Sequence, residues 1–273
     1  MSHNQYQNNM QHGLNNDFIY AVSKIVITVS DGTNSITSQG TGFFIQKNSD
    51  LFFITNRHVV QPGWSDTQYS SYTKIQNIVI DRRIYDKSTK STEVENMEVS
   101  NCEISYPEND KDDIACIAKI QVRNWSKKVP INIAFSMLAT SEQFENDLTI
   151  CDNVAFIGFP IVYDHKHNMP ILRGGVISSD PRLDYSFNEE NNGHILAYEA
   201  FSTSGASGSP VFATQKGFQI GEGLKAPKGF YRPVLLIGIN AGNITKSGEH
   251  QQMSYMFKSD QIIALIEKQT EKK

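Results

Sequence analysis

Cysteine is scarce: Cys102, Cys116 and Cys151 are the only three in 273 residues. An odd number with no CxxC pair speaks against a disulfide framework and for reduced, buried thiols. Positive charge is not in excess either. Lys and Arg number 25 against 29 Asp and Glu, a formal net charge of −4, so no basic field invites nucleic acid or an anionic membrane. No apolar run reaches the about 18 residues that a membrane helix needs. Met1 to Gln7 has neither the basic nor the apolar segment of a secretion signal, which makes a soluble, cytoplasmic protein the expectation. No internal repeat and no accessory domain are discernible.

What is present is the material of an ordinary globular core, with 39% hydrophobic and 20% charged residues, enough for one compact unit of two subdomains. Residues 1–17 are polar and rich in Asn and Gln, so a polar N-terminal tail is expected over 1–20, with a short helical turn from Phe18 to Ser23. Short β-branched or aromatic runs bounded by turn residues follow. In 21–125 they are Ile25–Val29, Thr41–Ile45, Leu51–Thr55, Lys74–Asp81, Thr92–Ile104 and Ile114–Ile120, with a charged hairpin tip over 82–90. A crossing around 124–130, carrying Trp125, Lys127 and Lys128, leads into 126–258. The runs there are Cys151–Gly158, Pro170–Ser178, His194–Phe201, Ser209–Ala213, Val234–Ala241 and Met253–Phe257, with turns at Asn191–Gly193 and Gly221–Gly223. Six strands in each half predict two antiparallel barrels. Over 259–273, Ile262, Ile263 and Ile266 form an apolar stripe behind Ser259 as a cap, which predicts a terminal helix.

One loop stands out from the Gly/Ser background. Ser204-Gly205-Ala206-Ser207-Gly208-Ser209 precedes the strand Pro210-Val211-Phe212, and its glycines permit a sharp turn around Ser207. Such a turn can aim the N–H groups of Gly205 and Ser207 into one concavity, as an oxyanion requires. A hydroxyl nucleophile needs an adjacent base, and the base needs a third group to fix its tautomer. His58 in Thr55-Asn56-Arg57-His58-Val59-Val60 and Asp113 in Asp112-Asp113-Ile114-Ala115 supply them, each at the edge of a β-rich segment. Asp112 is the competing carboxylate.

These three motifs, in the order His, Asp, Ser, resemble those of the trypsin-like serine endopeptidases of the chymotrypsin fold. Within that superfamily Ile54–Val60, Asp113–Ala115, Gly175–Ser178 and Ile237–Asn240 look like the bacterial HtrA-type proteases. Ser204–Phe212 looks like the glutamyl endopeptidases. The resemblance implies an all-β fold of two six-stranded chymotrypsin-like barrels with a C-terminal helix packed on the second barrel, without a PDZ module. It implies a serine endopeptidase with His58, Asp113 and Ser207 as triad, and Gly205 and Ser207 as oxyanion hole. It needs no cofactor and no metal. Where trypsin-type zymogens carry an Asp before the nucleophile there is Ala206, so Lys24-Ile25-Val26 is not expected to be a processing site. Control then falls to loop order, a ligand or a regulatory partner protein.

The S1 wall is expected from Phe201, Thr203, Asn240 and Ala241. Phe201 stands where an Asp would select Lys or Arg, so a small, uncharged or polar P1 is expected, with Glu weaker. A free-standing protease of this kind suggests a regulated cut in few protein or peptide substrates. The rival is a catalytically silent or latent domain that binds peptides. Asp164-His165-Lys166-His167 has the look of a metal cluster but is expected to be solvated, as are the basic pairs Arg82-Arg83 and Lys127-Lys128.

Overall fold

The computed structural model of the protein describes residues 14–86, 88–123, 131–217, 231–246 and 249–271. The first half folds into strands β1 (Val22–Ser30), β2 (Ser35–Lys47), β3 (Asp50–Thr55), β4 (Lys74–Asp86), β5 (Ser91–Ser105) and β6 (Ala115–Val122). They lie side by side in the order β1-β4-β5-β6-β3-β2, and β2 pairs back onto β1 to close a barrel. A pleated strand turns alternate residues to one face, so Ile25 and Ile27 of β1 lie opposite Ile80 and Ile78 of β4, all four buried. A short segment, β7 (Ile133–Ala134), adds a parallel pairing to β2.

The second half forms β8 (Asn153–Gly158), β9 (Ile171–Ile177), β10 (Ile195–Glu199), β11 (Pro210–Ala213), β12 (Leu235–Lys246) and β13 (Glu249–Lys258). They close in the order β10-β13-β12-β11-β8-β9. The fold is thus the expected pair of six-stranded antiparallel barrels with a C-terminal helix. Among the described residues four α-helices decorate it: α1 (Arg57–Val60), α2 (Pro62–Ser65), α3 (Ser141–Asn146) and α4 (Ser259–Glu271). α3 falls in a stretch for which no element was anticipated. A capping box starts it, in which Thr140 and Gln143 each bond the other's backbone N–H.

Three apolar clusters organise the described residues. One fills the first barrel around Phe44, Phe53 and Ile80, one fills the second around Phe156, Tyr198 and Ile237. The third lies on the seam, where Phe43, Ile54, Ile157, Phe212 and Ile239 from both barrels meet Ile262, Leu265 and Ile266 of α4. The helix therefore clamps both barrels, not the second alone. Lys268 and Glu267 add ion pairs to Glu108 (2.8 Å) and Lys47 (3.6 Å) of the first half. The Ser259 hydroxyl donates to the Ala139 carbonyl at 2.7 Å, tying the helix start to the segment before α3.

Four further expectations change. The helical turn expected over 18–23 lies over 16–20 instead, a 3-10 turn capped by Asn15, and Phe18 enters the seam 5.0 Å from the Phe212 ring. The strand β4 runs on to Asp86, into the first half of the hairpin tip anticipated over 82–90, and Arg82 and Arg83 are only 3% and 2% exposed. Neighbours on a strand face opposite ways: Arg82 pairs with Glu95 on β5. Arg83 reaches the other barrel, donating to the Asn168 carbonyl at 2.6 Å and lying 4.1 Å over the Phe159 ring. Burial pulls its pKa down to about 10 in spite of nearby Asp81. Of the three free cysteines only Cys116 is fully buried, its thiol pushed up to about 12, whereas Cys151 is exposed. The crossing 124–130, with Lys127 and Lys128, and the turn 221–223 lie outside the described residues.

Candidate active site

The first half of the site is built where β3 ends. Thr55 closes the strand, Asn56 is buried, and α1 begins at once with Arg57 and His58. The Asn56 side chain donates to the Asp113 carbonyl at 2.6 Å. The Asp113 carboxylate in turn grips His58 at two points: Oδ1 accepts the His58 backbone N–H at 2.9 Å, and Oδ2 meets Nδ1 at 2.5 Å. A carboxylate at Nδ1 fixes the proton there and leaves Nε2 to accept one. Burial by itself would lower the His58 pKa, but the charge of Asp113 and its hydrogen bond prevail and raise it.

The second half of the site is the loop from Ala200 to Ser209, between β10 and β11. Gly205 and Gly208 both have φ of +89°. A Cβ at Gly205 would sit 2.3 Å from the Phe159 carbonyl oxygen, and one at Gly208 would sit 1.8 Å from that of Thr41, so neither position admits a side chain. Thr41 of β2 laces the loop to the first barrel. Its N–H donates to the Ser207 carbonyl at 2.8 Å, and its hydroxyl donates to the Gly205 carbonyl at 2.8 Å while accepting from Phe159 N–H at 3.0 Å.

Within this loop the Ser204 carbonyl accepts the Ile161 N–H at 3.1 Å. A trans peptide points its N–H opposite to its C=O, so the Gly205 N–H faces away from Ile161. Among the described residues, neither the Gly205 nor the Ser207 N–H makes a hydrogen bond. The two halves meet over Gly40, where a Cβ would lie 2.7 Å from Val59 and 3.2 Å from the Ser207 carbonyl oxygen. The Ser207 hydroxyl donates to the Ala241 carbonyl at 3.4 Å, and no hydrogen bond joins it to His58 among the described residues.

A profile of the trypsin-like peptidase domain matches residues 40–221, more than half of the chain and a span that includes His58, Asp113 and Ser207. The chain belongs to the trypsin-like peptidase family. Among solved structures it is similar to the HtrA-type protease AlgW in complex with a tripeptide, at 16% identity and TM-score 0.52, over 91% of this chain and 60% of AlgW. It is similar to Deg5 at 17% identity and TM-score 0.51, over 92% and 89% of the two chains. The protease Anisep from Arthrobacter nicotinovorans is similar at 11% identity and TM-score 0.51, over 88% and 90%. At such identities the likeness speaks for the fold alone. No curated protein sequence matches.

In this trypsin-like peptidase fold the anticipated S1 residues part company. Phe201 turns its ring outward, half exposed, with the Arg173 guanidinium 5.6 Å from the ring centre and bonded to the Phe201 carbonyl. The Thr203 hydroxyl is buried without a partner. Asn240 is wholly buried and braces the Ser207 loop. Its Nδ2 donates to Ser202 Oγ at 3.0 Å and the Ala206 carbonyl at 2.9 Å, while Oδ1 accepts from the Tyr198 hydroxyl at 2.6 Å. Ala241 presents its carbonyl toward Ser207.

Thr41 and Tyr198 escaped sequence reasoning because a lone Thr or Tyr in a strand carries no mark of its partner. Also unforeseen is a second imidazole–carboxylate pair, in which Asp112 accepts the His194 backbone N–H and meets Nδ1, both at 2.8 Å. The histidines of 164–167 go separate ways, His167 to Asp164 at 2.8 Å and His165 to the Ile161 carbonyl at 2.8 Å. No helix among the described residues is long and apolar enough to cross a membrane.

Proposed function

We propose that the protein is a serine endopeptidase that hydrolyses peptide bonds in protein substrates. The observation that carries this reading is the two-point grip of Asp113 on His58, next to Val59 that meets the Ser207 loop over Gly40, a loop whose Gly205 and Ser207 N–H groups make no hydrogen bond among the described residues. In this reading Ser207 Oγ attacks the scissile carbonyl and passes its proton to His58 Nε2. The negative oxygen that forms is received by the two N–H groups. His58 then hands the proton to the leaving amine, and the acyl-enzyme is hydrolysed by water activated in the same way. Asp113 stays ionised and stabilises the imidazolium.

The extended substrate lies along Ala241 and Gly242 of β12 by strand addition. With Phe201 where a basic P1 would need a carboxylate, and Asn240 already saturated by its neighbours, a small uncharged or polar P1 fits best. Control is taken to come from a partner or ligand. Ala206 is wholly buried and carries no carboxylate to receive a freed amine, and Lys24 sits within β1 bound to Asp81 at 3.0 Å. Cleavage of few targets, in the cytoplasm, belongs to the same reading.

The bond from Ser207 Oγ to the Ala241 carbonyl favours a second reading, a resting form that must turn its hydroxyl toward His58. At 3.4 Å that bond is at the weak end of the hydrogen-bond range, so the turn is cheap. A fluorophosphonate probe decides between them. Labelling of the wild type that vanishes in Ser207→Ala establishes an active nucleophile, and a wild type that stays unlabelled leaves the latent or peptide-binding domain.

A further inference from the structure

Asp112 and Asp113 are consecutive, yet each holds a different histidine in the same manner. Asp113 binds His58 of the first barrel, and Asp112 binds His194, which stands immediately before β10 of the second. The turn between them is tight: Ile114 N–H donates to the Asp112 carbonyl at 2.9 Å and Asp112 N–H to the Asn109 carbonyl at 3.0 Å. Movement of one carboxylate therefore drags the other. The partner segment is shaped for the grip. Gly193 has φ of +91°, and a Cβ there would lie 2.5 Å from Asp112 Oδ1. Lys111 reaches the Asn191 carbonyl at 2.5 Å, and the His194 carbonyl accepts Lys258 N–H at 2.9 Å, locking the segment onto the end of β13.

We propose that Asp112 and His194 are positioning residues. Their pair anchors the Asp113 turn to the second barrel, the same barrel whose strand β10 feeds the Ser207 loop, and so sets the imidazole of His58 relative to the nucleophile. The proposal rests on the reading of His58, Asp113 and Ser207 as a triad. Asp112 is completely buried while its imidazole partner is about one third exposed (side chain 35%). The histidine therefore brings its donor to the carboxylate from the surface side, without a second charge in the core.

The test compares His194→Leu, which removes the Nδ1 donor, with His194→Asn, whose side-chain N–H falls near the Nδ1 position. Fluorophosphonate labelling is followed as a function of pH. His194→Leu is expected to label on the order of tenfold more slowly. Its acid limb is expected to move to lower pH, because a displaced Asp113 raises the His58 pKa less. His194→Asn is expected to stay within about threefold of the wild type. Equal rates and an unmoved acid limb in His194→Leu would overturn the proposal.

Should His194→Leu fail to fold, His194→Gln serves, since its amide lies too far out to replace Nδ1. Should the wild type itself not label, the triad reading is what has failed. The coupling is then read from the His58 titration by NMR. A downward shift in the His194 variant supports the anchoring, and an unchanged titration refutes it.

Discussion

Two imidazole–carboxylate pairs of nearly identical geometry stand back to back in this protein, and the function proposed above gives chemistry to only one of them. In both, a buried aspartate accepts a histidine's backbone N–H and its Nδ1 together. His58 sits on α1, just past the end of β3 of the first barrel, and its neighbour Val59 meets the Ser207 loop over Gly40. His194 stands immediately before β10 of the other barrel, flanked by Gly193 and the backbone of Lys258. The pair geometry by itself thus reports that an imidazole is held, and not what for. In the reading proposed above, what separates base from anchor is the third group, the Ser207 hydroxyl beside two N–H groups that make no hydrogen bond among the described residues.

The largest contrast should come from removing the two imidazoles. His58→Ala and Ser207→Ala are each expected to lower peptide hydrolysis on the order of 10⁴-fold or more, and not to add in the double variant, since they act as a unit. His194→Ala should cost only about tenfold. Comparable losses at 58 and 194 in the same peptide-cleavage assay would erase the distinction drawn between the pairs.

Neutralising the aspartates sharpens it. Asp113→Asn keeps the shape but puts a donor opposite Nδ1 and selects the wrong tautomer, with an expected loss of about 10³- to 10⁴-fold in kcat. Asp112→Asn disturbs only the anchor and should stay within about 30-fold. Next in size comes Thr41→Val, which strips the Gly205 carbonyl of its donor and leaves the buried Phe159 N–H unpaired. A loss of about 1–3 kcal/mol in urea unfolding is expected, with slower labelling because the oxyanion loop is no longer laced to β2. Unchanged stability would show that water replaces the hydroxyl.

Much of this was legible in the residues. Runs such as Ile25–Val29 and Cys151–Gly158 announce strands because alternation and flanking turn residues are local signals. His58, Asp113 and Ser207 could be singled out because each lies in its own short motif, and the structure brings the first two into contact. What could not be read are partnerships set by closure of the two barrels. Thr41 meets Gly205 at a separation of 164 residues, Asp112 meets His194 at 82, and Tyr198 meets Asn240 at 42. No periodicity in the chain encodes such pairings. Arg82 and Arg83 misled for the same reason: two adjacent cations look solvated until one finds Glu95 across the ladder and the other an aromatic ring and a carbonyl in the opposite barrel.

The smallest effect tests the electrostatics of the working pair. Burial favours the neutral imidazole, but Asp113 outweighs it and the His58 pKa rises above its ordinary 6.5. The folded state therefore binds this proton more tightly than the unfolded chain does. The stabilisation is complete below about pH 6.5, and it is lost as pH climbs through the raised folded value. Melting temperatures of wild type and Asp113→Asn, taken between about pH 5 and pH 9, should differ most at the acid end and converge toward the alkaline end. Catalysis runs the opposite way, because the base must be neutral: labelling of Ser207 should rise over the same window in which the pair's contribution to stability fades. A melting gap that widened with pH would mean that burial wins over Asp113, that His58 folds as the neutral base, and that the acid limb of labelling lies below about 6.5.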